Sequence, residues 1–446
     1  MRDFTEGSVA KQIVLFSLPM LVGSIFQQMY SMVDAMVVGR FVGGTSLAAV
    51  GVAMGAMQFL LALLIGLTTG ASVVISQYFG AKRRDKVESA VSTSAVFLTV
   101  FSIIIATAGV VLAPALFRLL NTAPEILGDS VLYMRILMAG IIFPIFYNMY
   151  TAYLRALGDS RSPLYFLIFC TILNTALDLL FVVRFGWGVA GVAVATITAQ
   201  AVSAVLCHFY TKKYAELLHI KRFAFDRDLF LLILKYGTPA AMQMSLVSLA
   251  HLTITRLINS FGAMAMAGIT AATKIDQMAI MPVSSISMAL STFVAQNIGA
   301  GQEARAKKGL RYSLLLMVSL AVLISGLMIV FGAGLISLFL NPEDADAAGI
   351  LQVGLSYFNR MVVFYFLFAF LFAFNGFFRG AGDAVITMVF PVASLTLRTV
   401  SAHMFVNLAG MGPEALAWSI PIGWGLSSLA SWLYYRKGLW RGKVAV

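Results

Sequence analysis

The sequence predicts an all-α membrane protein of twelve transmembrane helices, arranged as two six-helix lobes related by a pseudo-two-fold axis along the membrane normal. Three observations predict it. Of the 446 residues 60% are hydrophobic and only 11% charged, and the mean hydropathy is +0.91, a composition outside the range of soluble globular domains. Apolar runs of about 20 residues or more recur along the whole length, each long enough as a helix to cross the hydrocarbon core, and the alternating pattern of a membrane β-barrel is absent. Finally, the two halves repeat. SQYFGAKRRDK (76–86) aligns with AQNIGAGQEAR (295–305), LRALGDS (154–160) with FRGAGDA (378–384), and Pro19 with Pro239, at offsets of 219 to 224 residues. Six helices separate equivalent elements, and an even number places both copies the same way up.

Clusters of charge, glycine and proline set the spans in order. The first, 16–39, follows the mixed-charge MRDFTEGSVAKQ, which has no short apolar core before a small-residue cleavage site, so this helix is expected to stay in the mature chain. The second (46–78) ends in the basic cluster after Gly80, and the third (88–112) stops short of Pro114. Pro124 precedes the fourth (126–153), Pro163 opens the fifth (163–183), and the sixth (189–211) runs from the GWG turn to Lys212 and Lys213. The polar stretch TKKYAELLHIKRFAFDRD then divides the chain into an N-terminal lobe (1–211), a cytoplasmic linker (212–228) and a C-terminal lobe (229–446). That lobe holds spans at 229–259, 266–296, 308–332, 346–375, 385–407 and 414–435. They are separated at SFG, GAGQEAR, NPEDAD, GAGD and GMGP.

With the N-terminus inside, 23 of the 31 Lys and Arg residues fall on the same side, among them the cluster Lys82, Arg83, Arg84 and Lys86, the linker's Lys221 and Arg222, and Arg305, Lys307, Lys308 and Arg311. Cytoplasmic loops attract basic residues, so both termini are expected to be cytoplasmic in a cell membrane. The net charge of +12 then reflects topology and anionic lipid, with no nucleic-acid partner. Cys170 and Cys207 lie in apolar spans without metal-ligand spacing and are read as packed thiols. No phosphate loop, H-E-x-x-H or G-x-S-x-G is present, so the chain is not expected to be an enzyme or to hydrolyse ATP, and no cofactor is expected beyond a coupling ion.

An ionisable side chain in the bilayer interior is costly unless it faces a cavity or a partner. Gln27, Tyr30 and Asp34 form one helical stripe on the first span, and Thr171, Asn174 and Asp178 form another on the fifth. Two converging carboxylates can share protons or ligate a small hard cation. Hydrogen-bonded helix packing explains Thr171 and Gln27 better, but Asn would serve that purpose without a charge, so it fits Asp34 and Asp178 poorly. At the repeat positions of Asn174 and Asp178 the C-terminal half has Arg398 and Ala402, so the acidic pair is not duplicated. Lys274 and Asp276 are two apart on one helix and do not face each other; an ion pair across helices and a contact to cargo both stay open. Arg135, Arg256 and Arg360 lie nearer helix ends, where snorkelling to the interface is expected. His251 and His403 are expected to pack. Pro19, Pro144, Pro239, Pro282 and Pro391 are expected to kink their helices.

SLPMLVGSIFQQMYSMVD in the first span, SQYFGAKRRDK after the second, LRALGDSRSP after the fourth, NTALD in the fifth and GVAGVAVATITAQ in the sixth together resemble the multidrug and toxic compound extrusion (MATE) family. The resemblance implies a V-shaped, two-lobed antiporter that exports small amphipathic, often cationic organic compounds against H⁺ or Na⁺. In the branch with a cation site in the N-terminal lobe, the coupling residues are similar to Asp34, Asn174 and Asp178 here, Na⁺ being one candidate ion at these three. Tyr133, Asn148 and Thr196 line the same cavity and Tyr30 is close by; Pro19 resembles the proline at which the first helix bends. Gln27, Lys274 and Asp276 are the further candidates for cargo contact or gating. The chain is expected to work as a monomer surrounded by membrane lipid. A lipid-linked oligosaccharide flippase of the same superfamily is the alternative, ranked second because its strongly cationic groove is missing.

Overall fold

The computed structural model describes residues 2–220, 224–340 and 346–445, so the linker residues Lys221 and Arg222 lie outside the described residues. Fourteen α-helices follow in order: α1 (Val9–Val37), α2 (Gly44–Gly80), α3 (Arg84–Leu119), α4 (Pro124–Ala139), α5 (Ile142–Ala156), α6 (Arg161–Asp178), α7 (Gly188–Tyr214), α8 (Arg227–Asn259), α9 (Ala263–Gly299), α10 (Glu303–Ser337), α11 (Ala347–Val362), α12 (Tyr365–Ala381), α13 (Ala384–Asn407) and α14 (Glu414–Arg436). Among the described residues there is no strand. Among the described residues nine helices are each long and apolar enough to cross a membrane, and two bent pairs, each taken as one span, bring the number to 11. The twelfth expected span, 414–435, falls on α14, which is not among these.

The bent pairs correct the sequence reading, which expected single helices at 126–153 and 346–375. Helices α4 and α5 meet at 54° and α11 and α12 at 52°. At the first break Pro144 has no N–H to return to Gly140, and the chain passes through a tight turn in which Phe143 N–H donates to Gly140 O at 3.1 Å. The second break has neither proline nor glycine; tight bonds from Phe364 N–H to Met361 O (3.0 Å) and from Leu367 N–H to Phe364 O (2.9 Å) replace the regular ladder. Both breaks fall at the same place in the two-fold repeat. Two further irregularities are π-helical turns, Val38–Val42 after α1 and Leu179–Arg184 after α6.

The helices form two compact units, one containing Leu18–Ala241 and the other Phe4–Ser17 with Met242–Ala445. In the first, α2 crosses α8 at backbone contact. A Cβ on Gly66 would lie 2.3 Å from Ala241 Cα, and one on Gly70 would lie 2.3 Å from Gly237 N. Such small-residue crossings let membrane helices gain close van der Waals packing, where lipid offers no hydrophobic drive for association. In the second unit α9 is the central helix, and Gly376 and Gly380 of α12 sit on the carbonyls of Ser287 and Ser291, 2.5 and 2.3 Å from where a Cβ would stand.

The repeated motifs turn out to anchor chain segments. Phe4 N–H donates to Gln296 Oε1 (3.0 Å) and Asn297 Nδ2 to Phe4 O (3.1 Å). Arg305 reaches four acceptors: its Nε bonds Phe4 O (2.9 Å), Nη1 bonds Gly7 O (2.9 Å), and Nη2 bonds Glu6 O (2.8 Å) and Gln12 Oε1 (2.9 Å). In the other unit the segment before α8 is held in the same manner: Ala224 N–H donates to Ser92 Oγ (2.8 Å), Asp226 N–H to Thr93 Oγ1 (3.0 Å), and Lys86 lies 3.7 Å from the Asp226 carboxylate. Hydrogen bonds to a charged group contribute about 1.5–3 kcal/mol each. Arg305→Ala is therefore expected to raise hydrogen exchange at the amides of residues 4–12 by at least about tenfold, while amides of α9 near Phe293 keep their protection. Unchanged exchange at residues 4–12 would show that the guanidinium does not hold this segment.

Candidate functional site

Within the first unit α1 carries Asp34 one turn before its π-helical turn, and α6 ends on Asp178, where the other π-helical turn begins. Wide turns of this kind are found mostly at functional positions, because they re-aim the side chains beside them. Asn174 and Asp178 are four apart on one face of α6, and both are fully buried. With its nitrogen turned to the carboxylates, the Asn174 amide donates to Asp34 Oδ1 at 2.8 Å and to Asp178 Oδ2 at 3.2 Å. The two carboxyl groups and the Tyr30 hydroxyl lie close enough to one another to interact directly. Asp178 Oδ1 is buried without a partner among the described residues. Neither carboxylate has a Lys, Arg or His within ion-pairing distance among them.

The polar groups around the two carboxylates are only partly the expected ones. Tyr30 Oη reaches Thr196 Oγ1 on α7 at 3.5 Å, and the buried Tyr133 of α4 lies within electrostatic range of both carboxylates while its hydroxyl points to Met54 Sδ at 3.7 Å. Asn148 is not brought to the carboxylates. Its Nδ2 donates to Pro144 O on its own helix at 2.8 Å, and it borders a small apolar hollow with Leu61, Leu64 and Thr68. Gln27 is exposed, and Thr171 Oγ1 donates to Leu167 O at 2.9 Å. Pro19 lies inside α1, fifteen residues before Asp34, or about 22 Å along the helix.

A third stripe escaped the sequence reading: Thr196, Gln200 and Ser203, at i, i+4 and i+7 on α7. Gln200 Oε1 and Ser203 Oγ are buried without hydrogen-bond partners among the described residues. The same spacing that singled out the stripes of α1 and α6 would have found it.

In the second unit Lys274 and Asp276 diverge. Lys274 is exposed, its Nζ 5.8 Å from the centre of the Phe339 ring, and Asp276 Oδ1 accepts from Tyr365 Oη at 2.7 Å. Arg135 and Arg360 donate to backbone carbonyls, of Val110 at 3.1 Å and of Ser356 at 2.8 Å, and His403 Nδ1–H donates to Thr399 O at 2.9 Å. Cys170 and Cys207 are buried free thiols.

Against known proteins the chain gives concordant results. It is 32% identical over 444 residues to "Probable multidrug resistance protein YpnP" of Bacillus subtilis, spanning 98% of this chain and 97% of that one. It is 31% identical to "Probable multidrug resistance protein YoeA" of the same organism over 76% of this chain and 75% of that one. A crystal structure of a MATE in complex with MaL6 superposes with a TM-score of 0.91 at 23% identity, covering 98% of both chains, which establishes the fold. The MatE family pattern matches twice, over residues 19–180 and again over 239–404, one copy in each half and each beginning at one of the two aligned prolines. The chain therefore belongs to the MatE family of membrane transporters.

Proposed function

We propose that this chain is a cation-coupled multidrug efflux antiporter, with Asp34, Asn174 and Asp178 as the coupling site of the N-terminal-lobe branch. The observation that carries the reading is the pair of carboxylates, delivered by two helices to one point beside the buried Asn174 amide and without a basic partner among the described residues. Like charges side by side in a medium of low dielectric repel strongly, and a single positive charge, a proton or Na⁺, removes that repulsion. The amide distinguishes the two ions chemically. Turned one way it donates its nitrogen to both carboxylates, as suits a pair that shares a proton; turned over it presents its oxygen and would give Na⁺ three hard oxygen ligands.

Ion entry at this site and cargo binding elsewhere in the chain then compete for one conformational equilibrium, so each weakens the other by the same free energy. The cargo is taken to be small organic compounds, in keeping with the multidrug-resistance names of the relatives, and amphipathic and often cationic, as the family resemblance implies. The same proposal includes lobes at 1–211 and 229–446 joined by the cytoplasmic linker 212–228, a monomer in the plasma membrane with both termini inside, and Tyr30, Tyr133 and Thr196 lining the ion cavity. Bending at Pro19 links ion occupancy to cargo release.

The test is dye efflux from proteoliposomes under an imposed Na⁺ gradient and, separately, an imposed pH gradient. Efflux accelerated by one or both gradients is the expected result, and equal efflux with and without either gradient would overturn the reading.

A further inference from the structure

The repeat position of Asn174 is occupied in the second unit by Arg398, and its surroundings differ in kind. Arg398 stands about 21 Å along α13, half-buried. Its Nη2 makes one long contact, 3.4 Å to Tyr357 Oη, and its Nε is buried with no partner among the described residues. The nearby charged and titratable groups are Asp276 on α9 and His251 on α8, both close enough to interact through space. Asp276 does not close an ion pair with Arg398: Tyr365 holds its Oδ1 at 2.7 Å. From behind, Gly423 of α14 presses to within 3.3 Å of Arg398 Cβ, measured from where its own Cβ would stand, so the side chain has no room to retreat toward α14. Tyr357 and Tyr365 flank the break between α11 and α12, and interrupted helices near mid-membrane are where transporters of several folds place their ligands.

We propose that Arg398, with Tyr357, is a cargo-recognition site for the carboxylate of an aromatic organic acid. Inside a membrane protein a guanidinium with no carboxylate at ion-pairing distance among the described residues is costly, and an anionic cargo would supply that partner. Its planar fork suits a carboxylate. One negative charge already stands nearby in Asp276, so a monoanion fits the local charge count better than a doubly charged phosphate. Tyr365, which holds Asp276, stands at the edge of an aromatic cluster with Phe368 and Trp424, with ring centroids 6.4 Å (Tyr365–Trp424) and 5.2 Å (Phe368–Trp424) apart.

This inference rests on the reading of the chain as an exporter of organic compounds, but its test uses no gradient, so a failure of ion coupling and a failure of this site give different results. The purified full chain in neutral detergent is titrated by calorimetry with 1-naphthoate and with its methyl ester. Wild type is expected to bind the acid at least about tenfold more tightly than the ester; Arg398→Gln is expected to lose that preference, weakening the acid about 10- to 100-fold with the ester unchanged, and Arg398→Lys to recover part of it. Equal affinity of wild type for the two probes, undiminished acid binding by Arg398→Gln, or an equal loss of both probes in that variant would each overturn the proposal. The last outcome would mark the arginine as a packing residue.

Discussion

Vesicles carrying Asp34→Asn or Asp178→Asn are expected to lose gradient-driven export by about 5- to 150-fold, the span of ordinary coupling free energies between two sites. Asn preserves the size of Asp and most of its hydrogen bonding, so the substitution tests the charge and little else. Each variant leaves one carboxylate facing an amide, and the mutual repulsion that an incoming cation relieves is gone. Folding should survive, because Asn174 can still bond to whichever acid remains. The neighbouring residues grade the effect. Asn174→Ala removes two hydrogen bonds but no charge and should impair export less than either Asp variant. Asn148→Ala, whose amide is already spent on Pro144, should leave export within about twofold, since it touches neither carboxylate. Near-normal export by both Asp variants, at wild-type levels of reconstituted protein, would end the proposal that these acids couple the cycle.

How much of this was legible beforehand follows from which interactions leave a local trace. The all-helical membrane fold, the repeat and the polar stripes of Asp34 and Asp178 were readable, since hydropathy, constant offset and i, i+3, i+4 spacing are properties of the chain itself; that the two stripes meet was implied by the family resemblance. The break at Gly140 left a trace in Pro144. Its counterpart at Val363–Phe364 left none, because tertiary packing imposes the bend on a run of valine and aromatic residues with no helix breaker. Asn148 shows the opposite failure: the family resemblance implies an amide in the ion cavity, but a carbonyl one turn earlier on its own helix satisfies it, a competition that a resemblance does not reveal. Arg398 was noticed only as a gap in the acidic pattern. Its orphaned Nε needs coordinates to be seen.

The most destructive single change is expected at Gly70. On α2 four glycines at 51, 55, 66 and 70 share one helix and look alike in sequence, yet they meet different surroundings. A Cβ on Gly51 or Gly55 would meet nothing within 4 Å, whereas one on Gly70 would stand 2.3 Å from the backbone nitrogen of Gly237 and 2.9 Å from Ile233 O. Backbone atoms of a packed helix cannot swing aside as a flexible side chain does, so α2 and α8 must separate. Association of membrane helices depends on that close fit, and the separation is lost along the crossing through Gly66 and Ala241 as well. Overpacking costs about 1–3 kcal/mol for a modest insertion; Gly70→Ala is expected to lower stability by that amount, and Gly70→Leu to prevent recovery of monodisperse protein. Gly55→Leu, on the same helix with the same change in propensity, should behave as wild type in size-exclusion chromatography and thermal unfolding. If the Leu variants at 55 and 70 were equally stable, the backbone crossing of α2 and α8 would not exist as drawn, and the placement of α8's first half beside α2 would have to be abandoned with it.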